Sequence, residues 1–187
     1  MFKKIIIFSF CAFLLATESN LTDNSLQVIT KFPTSNSFNA TILDNQIQFG
    51  YSYSTGWSTG PFWIGIHCYN VDDIAGFQFE LPDNLQLLDA NGGRAEEIFS
   101  DLHHNNKGMI LGFSMSANKI PKIDKPINDL LLKIQVKATS GTDLNFPIKV
   151  ILAGSSGQKL TFDSTISDLE IKSDTGETQL ITVSFYE

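Results

Sequence analysis

Apolar and polar residues alternate with a period of two through most of the chain after residue 45. That period belongs to strands with one face on a core and the other in water. In Phe62-Trp63-Ile64-Gly65-Ile66-His67-Cys68-Tyr69, residues Phe62, Ile64, Ile66 and Cys68 share one side, and Trp63 and Tyr69 share the other. In the stretch from Leu130 to Lys137 the inward set is Leu130, Leu132, Ile134 and Val136, with Lys133, Gln135 and Lys137 facing out. Ile148, Val150 and Leu152 repeat the pattern, as do Ile181, Val183 and Phe185. Further strands are predicted over Ile47–Tyr53, Ala75–Leu81, Met109–Met115 and Leu169–Ile171.

Turn chemistry separates these segments: Pro82-Asp83-Asn84, Asn91-Gly92-Gly93, Asn105-Asn106-Lys107-Gly108, Ser140-Gly141-Thr142-Asp143, Gly154-Ser155-Ser156-Gly157 and Asp174-Thr175-Gly176. One helical turn is predicted, at Ala95–Phe99 after the two glycines. Many short strands joined by such turns predict an all-β fold, an antiparallel two-sheet sandwich over residues 47–187.

The N-terminus reads differently. Met1-Phe2-Lys3-Lys4 precedes an apolar run, Ile5 to Leu15, that is too short for a permanent span and ends in small residues, so residues 1–19 are expected to be a signal peptide. Residues 20–46 are rich in Asn, Ser and Thr and read as an extended leader. The sequons Asn20-Leu21-Thr22 and Asn39-Ala40-Thr41 make Asn20 and Asn39 candidate glycosylation sites on a secretory route.

Charge narrows the partners. The chain carries a formal net charge of −7, and loss of Lys3, Lys4 and Glu18 with the signal peptide makes it one unit more negative. Phosphate backbones and anionic lipid would repel it, which excludes nucleic acid, and no later apolar run suits membrane insertion. Cys68 is the single cysteine expected after processing, so no internal disulfide is available and packing must hold the fold.

Catalytic chemistry is sparse. Asp101-Leu102-His103-His104-Asn105 has no second ligand cluster and reads as a solvated loop. Asp72-Asp73 lacks the acid spacing of a calcium loop and reads as a polar turn. Ser155 and Ser156 lack the strand-turn-helix setting of a nucleophile. No enzyme, metal or cofactor is expected. Trp57, Trp63 and Tyr69, in the aromatic-rich stretch from Tyr51 to Tyr69, are the candidate binding surface, because exposed aromatic rings stack on sugars or partner side chains.

Asp73-Ile74-Ala75-Gly76-Phe77-Gln78-Phe79-Glu80-Leu81, following a strand that ends at Asn70, resembles a strand of the cohesin domain, the module that captures dockerins in cellulosomes. The order Gly92-Gly93-x-Ala95, Phe99, Gly108 to Ser114, Ile120-Pro121 and Leu130 to Ala138 extends the resemblance over about residues 62–153. It implies a jelly-roll sandwich of about nine strands, an architecture shared with carbohydrate-binding modules, and recognition through an exposed sheet face whose residues vary. The expected function is a secreted recognition or assembly module that binds an extracellular protein or copies of itself. The alternatives are a filament or coat subunit joined by strand addition of the leader, and a carbohydrate-binding module with a glycan partner.

Overall fold

A computed structural model describes residues 34–43, 49–52, 56–59, 61–124, 129–139, 144–172 and 178–187, with the backbone alone for 49–52, 56–59 and 172. The chain forms β1 (Ser37–Ile42), β2 (Phe49–Ser52), β3 (Gly56–Thr59), β4 (Phe62–Tyr69), β5 (Ile74–Glu80), β6 (Leu85–Asn91), α1 (Gly93–Ile98), β7 (Asp101–His104), β8 (Met109–Phe113), β9 (Leu130–Ala138), β10 (Asn145–Gly154), β11 (Lys159–Leu160), β12 (Asp163–Ser164), β13 (Ser167–Lys172) and β14 (Thr178–Tyr186). Two sheets make a sandwich. The smaller runs β12-β1-β4-β9-β6, the larger β13-β14-β10-β5-β8-β7 with β11 on β10, and β2 and β3 pair as a separate hairpin.

The period-two reading places the core correctly. Phe62, Ile64, Ile66 and Cys68 are at most 1% exposed, and Phe77, Phe79, Ile148, Val150, Leu152, Ile181, Val183 and Phe185 face them from the other sheet. In β9 the alternation slips. The pairing shifts where Ile66 faces Leu132 and His67 faces Leu130, so Leu131 is the extra residue of a bulge and is fully buried, while Leu130, expected inside, is half-buried.

Four findings depart from the sequence reading. Residues 20–46 were expected to form a leader, yet β1 lies inside that range, pairs with β4 along all six of its residues and puts Phe38 and Ala40 into the core. Its mixed composition concealed a strand only two core positions long. The sheets are mixed, not purely antiparallel, because β10 runs parallel to β14 and β1 parallel to β12. Among the described residues there are fourteen strands where about nine were expected, several being fragments of two to four residues. The stretch Asp101–His104, expected as a loop, is edge strand β7, paired with β8.

Two glycines are fixed by close approach. A Cβ on Gly93, at φ +62°, would sit 2.5 Å from the Leu131 carbonyl oxygen, so only glycine lets α1 settle on β9. A Cβ on Gly112 would fall 2.4 Å from the Phe77 ring, which occupies the space over β8 instead.

Candidate functional site

The outer face of the larger sheet is apolar at its centre. Three cross-strand rows lie there, and the pairing fixes each one. His103, Leu111, Gln78 and Ile151 form the middle row. Asp101, Phe113, Gly76, Ala153 and Lys159 form the row on one side. Met109, Glu80, Lys149 and Tyr186 form the row on the other. Met109, Leu111 and Ile151 are 39%, 38% and 38% exposed. Because Gly76 and Ala153 are small, the surface sinks between the larger side chains into an open depression of about 360 Å³, lined by Gly76, Gln78, Leu111, Phe113, Ile151 and Ala153.

The lysines around this face have carboxylate partners within the chain, and Asp101 has a histidine beside it. Lys149 Nζ lies 3.6 Å from Glu80 Oε2, Lys159 Nζ 2.8 Å from Glu187 Oε2, and His103 Nε2 3.8 Å from Asp101 Oδ1. Gln78 Nε2 donates to Glu80 Oε1 at 2.7 Å. The depression itself is lined by no charged side chain, which suits it to another apolar surface and not to an ionic ligand.

The aromatic candidates occupy other places. Trp63 and Tyr69 do share the outer side of the smaller sheet, as the alternation predicts. Tyr69 is only 7% exposed, and Lys133 Nζ sits 5.3 Å from the Trp63 ring centroid, so a cation already occupies one ring face. The backbone of Trp57 lies in β3, and its side chain is outside the described residues. The structure therefore brings Trp63 and Tyr69 to one sheet face without making a shared exposed platform.

Asn20 lies outside the described residues. Asn39 is half-buried on β1, where its Oδ1 accepts from the Ala40 amide at 2.7 Å and from Ser167 Oγ at 2.5 Å. This side chain caps a backbone donor on β1 beyond the two residues that β12 covers.

Buried polar chemistry gathers at one end of the sandwich. Arg94, 7% exposed, donates to the Cys68 carbonyl at 2.5 Å, to Asn70 Oδ1 at 2.8 Å and to the Pro121 carbonyl at 3.3 Å. Asn70 Nδ2 donates to the carbonyls of Asp72 and Pro121, at 2.8 and 3.0 Å. Burial lowers the pKa of Arg94 from its ordinary value, against the opposing pull of nearby acidic groups, and pushes the Cys68 thiol up to about 12. A protonated thiol under a guanidinium committed to carbonyls is a clamp on the end of β4, not a nucleophile with a base.

His67 Nδ1 meets Asp129 Oδ1 at 2.8 Å, and this hydrogen bond holds the Asp129 carboxyl below the usual carboxylate range. Asp72 accepts from Asn36 Nδ2 at 3.2 Å and Asp73 from the Lys122 amide at 3.0 Å, so both serve the turn. Among the described residues no three His, Cys, Asp or Glu side chains converge as a metal-holding group, and no helix is long and apolar enough to cross a membrane.

Sequence reasoning missed the depression and its rim. Its signal was present in Met109-Ile110-Leu111-Gly112-Phe113 and Val150-Ile151-Leu152-Ala153, which are apolar at both phases of the alternation and so cover both faces of their strands.

No protein-family model matches the chain, and no curated protein sequence matches it. Among solved structures the fold is similar to a non-cellulosomal cohesin from the hyperthermophilic archaeon Archaeoglobus fulgidus, at a TM-score of 0.40 and 11% identity over 68% of this chain and 82% of that one. The assignment of a two-sheet β-sandwich rests on the strand pairing described above.

Proposed function

We propose that the chain is a secreted, non-catalytic recognition module that binds another extracellular protein through the outer face of the larger sheet. The observation that carries this reading is the neutral apolar depression between Leu111, Phe113 and Ile151, with Gly76 and Ala153 beneath it. Apolar side chains standing out from a sheet at this density lose hydration only when a partner covers them. The basic start and apolar run of residues 1–19 support export.

The two alternatives have less support. Strand addition needs an open edge, and the available edges carry a two-residue strand, a bulge or charged side chains. A sugar platform needs exposed rings, and Tyr69 is buried.

The reading is tested by capture from the native medium with the wild type and with Ile151→Asp, which alters the face without entering the core. A specific protein retained by the wild type and lost by the variant is expected. Equal recovery by both, or recovery of nothing, overturns the reading.

A further inference from the structure

We infer that Asn91 is a modification site of this chain, a spontaneous deamidation site whose rate the fold sets through Glu96 and Asp89. Asn91-Gly92 is the only Asn-Gly step in the sequence. Asparagine followed by glycine is the pairing most prone to this reaction, because a residue without a Cβ lets its backbone nitrogen swing toward the preceding side-chain carbonyl carbon.

The reaction balances within the chain and water. Gly92 N loses its proton and attacks Cγ of Asn91. The N–Cγ bond forms, the Cγ–Nδ2 bond breaks, and Nδ2 leaves as ammonia with a proton equivalent to the one Gly92 gave up. Water then opens the succinimide ring at either carbonyl and leaves Asp or an isoaspartyl linkage at position 91. The rate therefore depends on a Gly92 nitrogen free to lose its proton and turn, and on an amide carbon free to meet it.

The structure restrains both. Gly92 N–H donates to Glu96 Oε2 at 2.5 Å. Asn91 Nδ2 donates to Asp89 Oδ2 at 2.8 Å, two residues back on β6, so the amide group is drawn along the strand away from Gly92. Each of the two nitrogens thus has a carboxylate beside it. Negative charge builds on the Gly92 nitrogen and the Asn91 amide oxygen as the new bond forms, and both carboxylates oppose that build-up. The backbone on either side is held as well. Asn91 pairs with Lys133 of β9, and a Cβ on Gly93 would meet the Leu131 carbonyl oxygen at 2.5 Å, so the turn has little slack in which to rotate Gly92 toward Asn91. Glu96 stands on the exposed side of α1, where water screens its charge, so the restraint slows the reaction without stopping it.

Conversion reaches beyond residue 91. An isoaspartyl linkage lengthens the main chain by a methylene just before α1 and sets a new carboxylate between Asp89 and Glu96. Both changes push α1 from its seat on β9, and with it Arg94, whose guanidinium donates to the carbonyls of Cys68 and Pro121.

The test incubates the full processed protein in mildly alkaline buffer and follows Asn91 by peptide mass mapping. Folded wild type should convert on the order of a hundredfold more slowly than the same chain unfolded in guanidinium chloride, and Glu96→Ala or Asp89→Ala should each recover about tenfold, the factor one charge-assisted hydrogen bond sets. Glu97→Ala, the exposed neighbour on α1, should keep the wild-type rate. Denaturant melts establish that each variant is folded while it reacts. Should Glu96→Ala not be folded, Glu96→Gln decides, since it keeps an acceptor without the charge and should react faster than the wild type. Equal rates in the folded and unfolded chains, or Glu96 variants no faster than Glu97→Ala, overturn the inference. The separated isoaspartyl form should unfold at a lower denaturant concentration than its parent, and an equal midpoint overturns the coupling to α1.

Discussion

Replacing Phe38 by Ala tests whether β1, drawn from a stretch that composition alone assigns to a leader, belongs to the core. Its ring is 1% exposed and packs against three others, with centroids at 4.9 Å from Phe162, 5.4 Å from Phe185 and 5.8 Å from Phe79. Truncating a buried Phe costs about 3–5 kcal/mol through lost transfer energy and the cavity left behind. On its far side β1 is covered by only two residues of β12, so the site has room to collapse and the cost should fall near the lower end, about 3 kcal/mol. With a urea slope of about 2 kcal/mol/M, the unfolding midpoint should move down by roughly 1.5 M.

Thr41→Ala, on the same strand with its side chain turned from the core, should move stability by no more than about 0.5 kcal/mol. Removing residues 1–33 should leave the transition in place, and removing 1–46 should abolish it. Equal midpoints for Phe38→Ala and Thr41→Ala would refute the placement of β1, and a cooperative transition surviving the longer truncation would do so independently.

Two further outcomes follow from the buried and half-buried titratable groups. Cys68, fully buried with its pKa at about 12, should resist iodoacetamide at pH 8 until the protein unfolds, and stoichiometric labelling of the native chain within minutes would contradict that burial. The hydrogen bond from His67 depresses the Asp129 pKa, so the pair stabilises the fold above the ordinary Asp pKa of about 3.9 and that contribution is lost as pH falls through the lower folded value. Asp129 is about a third exposed, which screens the effect to below about 1 kcal/mol, and Asp129→Asn should narrow its gap to the wild type in urea melts between about pH 5 and pH 2. A gap that stays constant with pH would count against the pair.

The legible part of the fold is the part in which burial follows strict alternation. β4, β9, β10 and β14 were readable because each buries every second residue against the opposite sheet, and the slip at Leu131 comes from a bulge that no local signal announces. β1 was not readable, since its two core residues, Phe38 and Ala40, are flanked by Asn and Thr, and only its long-range pairing with β4 makes it a strand. β7 was hidden for the related reason that an edge strand carries polar side chains, here Asp101, His103 and His104. At the site, aromatic residues drew attention to Trp63 and Tyr69 because ring chemistry is visible in one dimension. The apolar depression is made by Leu111, Phe113, Ile151 and Ala153 from strands that are about forty residues apart in sequence, and only the sheet order through β5 brings them together.

That sheet order also explains why a partner should come to a face and not to an edge. Each sheet has two margins, and each is blunted in its own way. In the smaller sheet β12 is two residues long, and β6 shifts register between Leu87 and Asp89 so that Leu88 has no cross-strand partner in the ladder. In the larger sheet β7 carries Asp101, His103 and His104, and β13 carries Asp168 and Glu170. Short strands, bulges and charges are the features that stop one chain from extending another's ladder. The strand best suited to donation, β1, is already bonded along β4 with Phe38 in the core, so giving it to a neighbour would open the donor's own interior. Contacts between molecules therefore fall to side chains on sheet faces. Of the two outer faces, the smaller sheet's has Tyr69 buried and Lys133 over Trp63, while the larger presents Met109, Leu111 and Ile151 around an unfilled hollow.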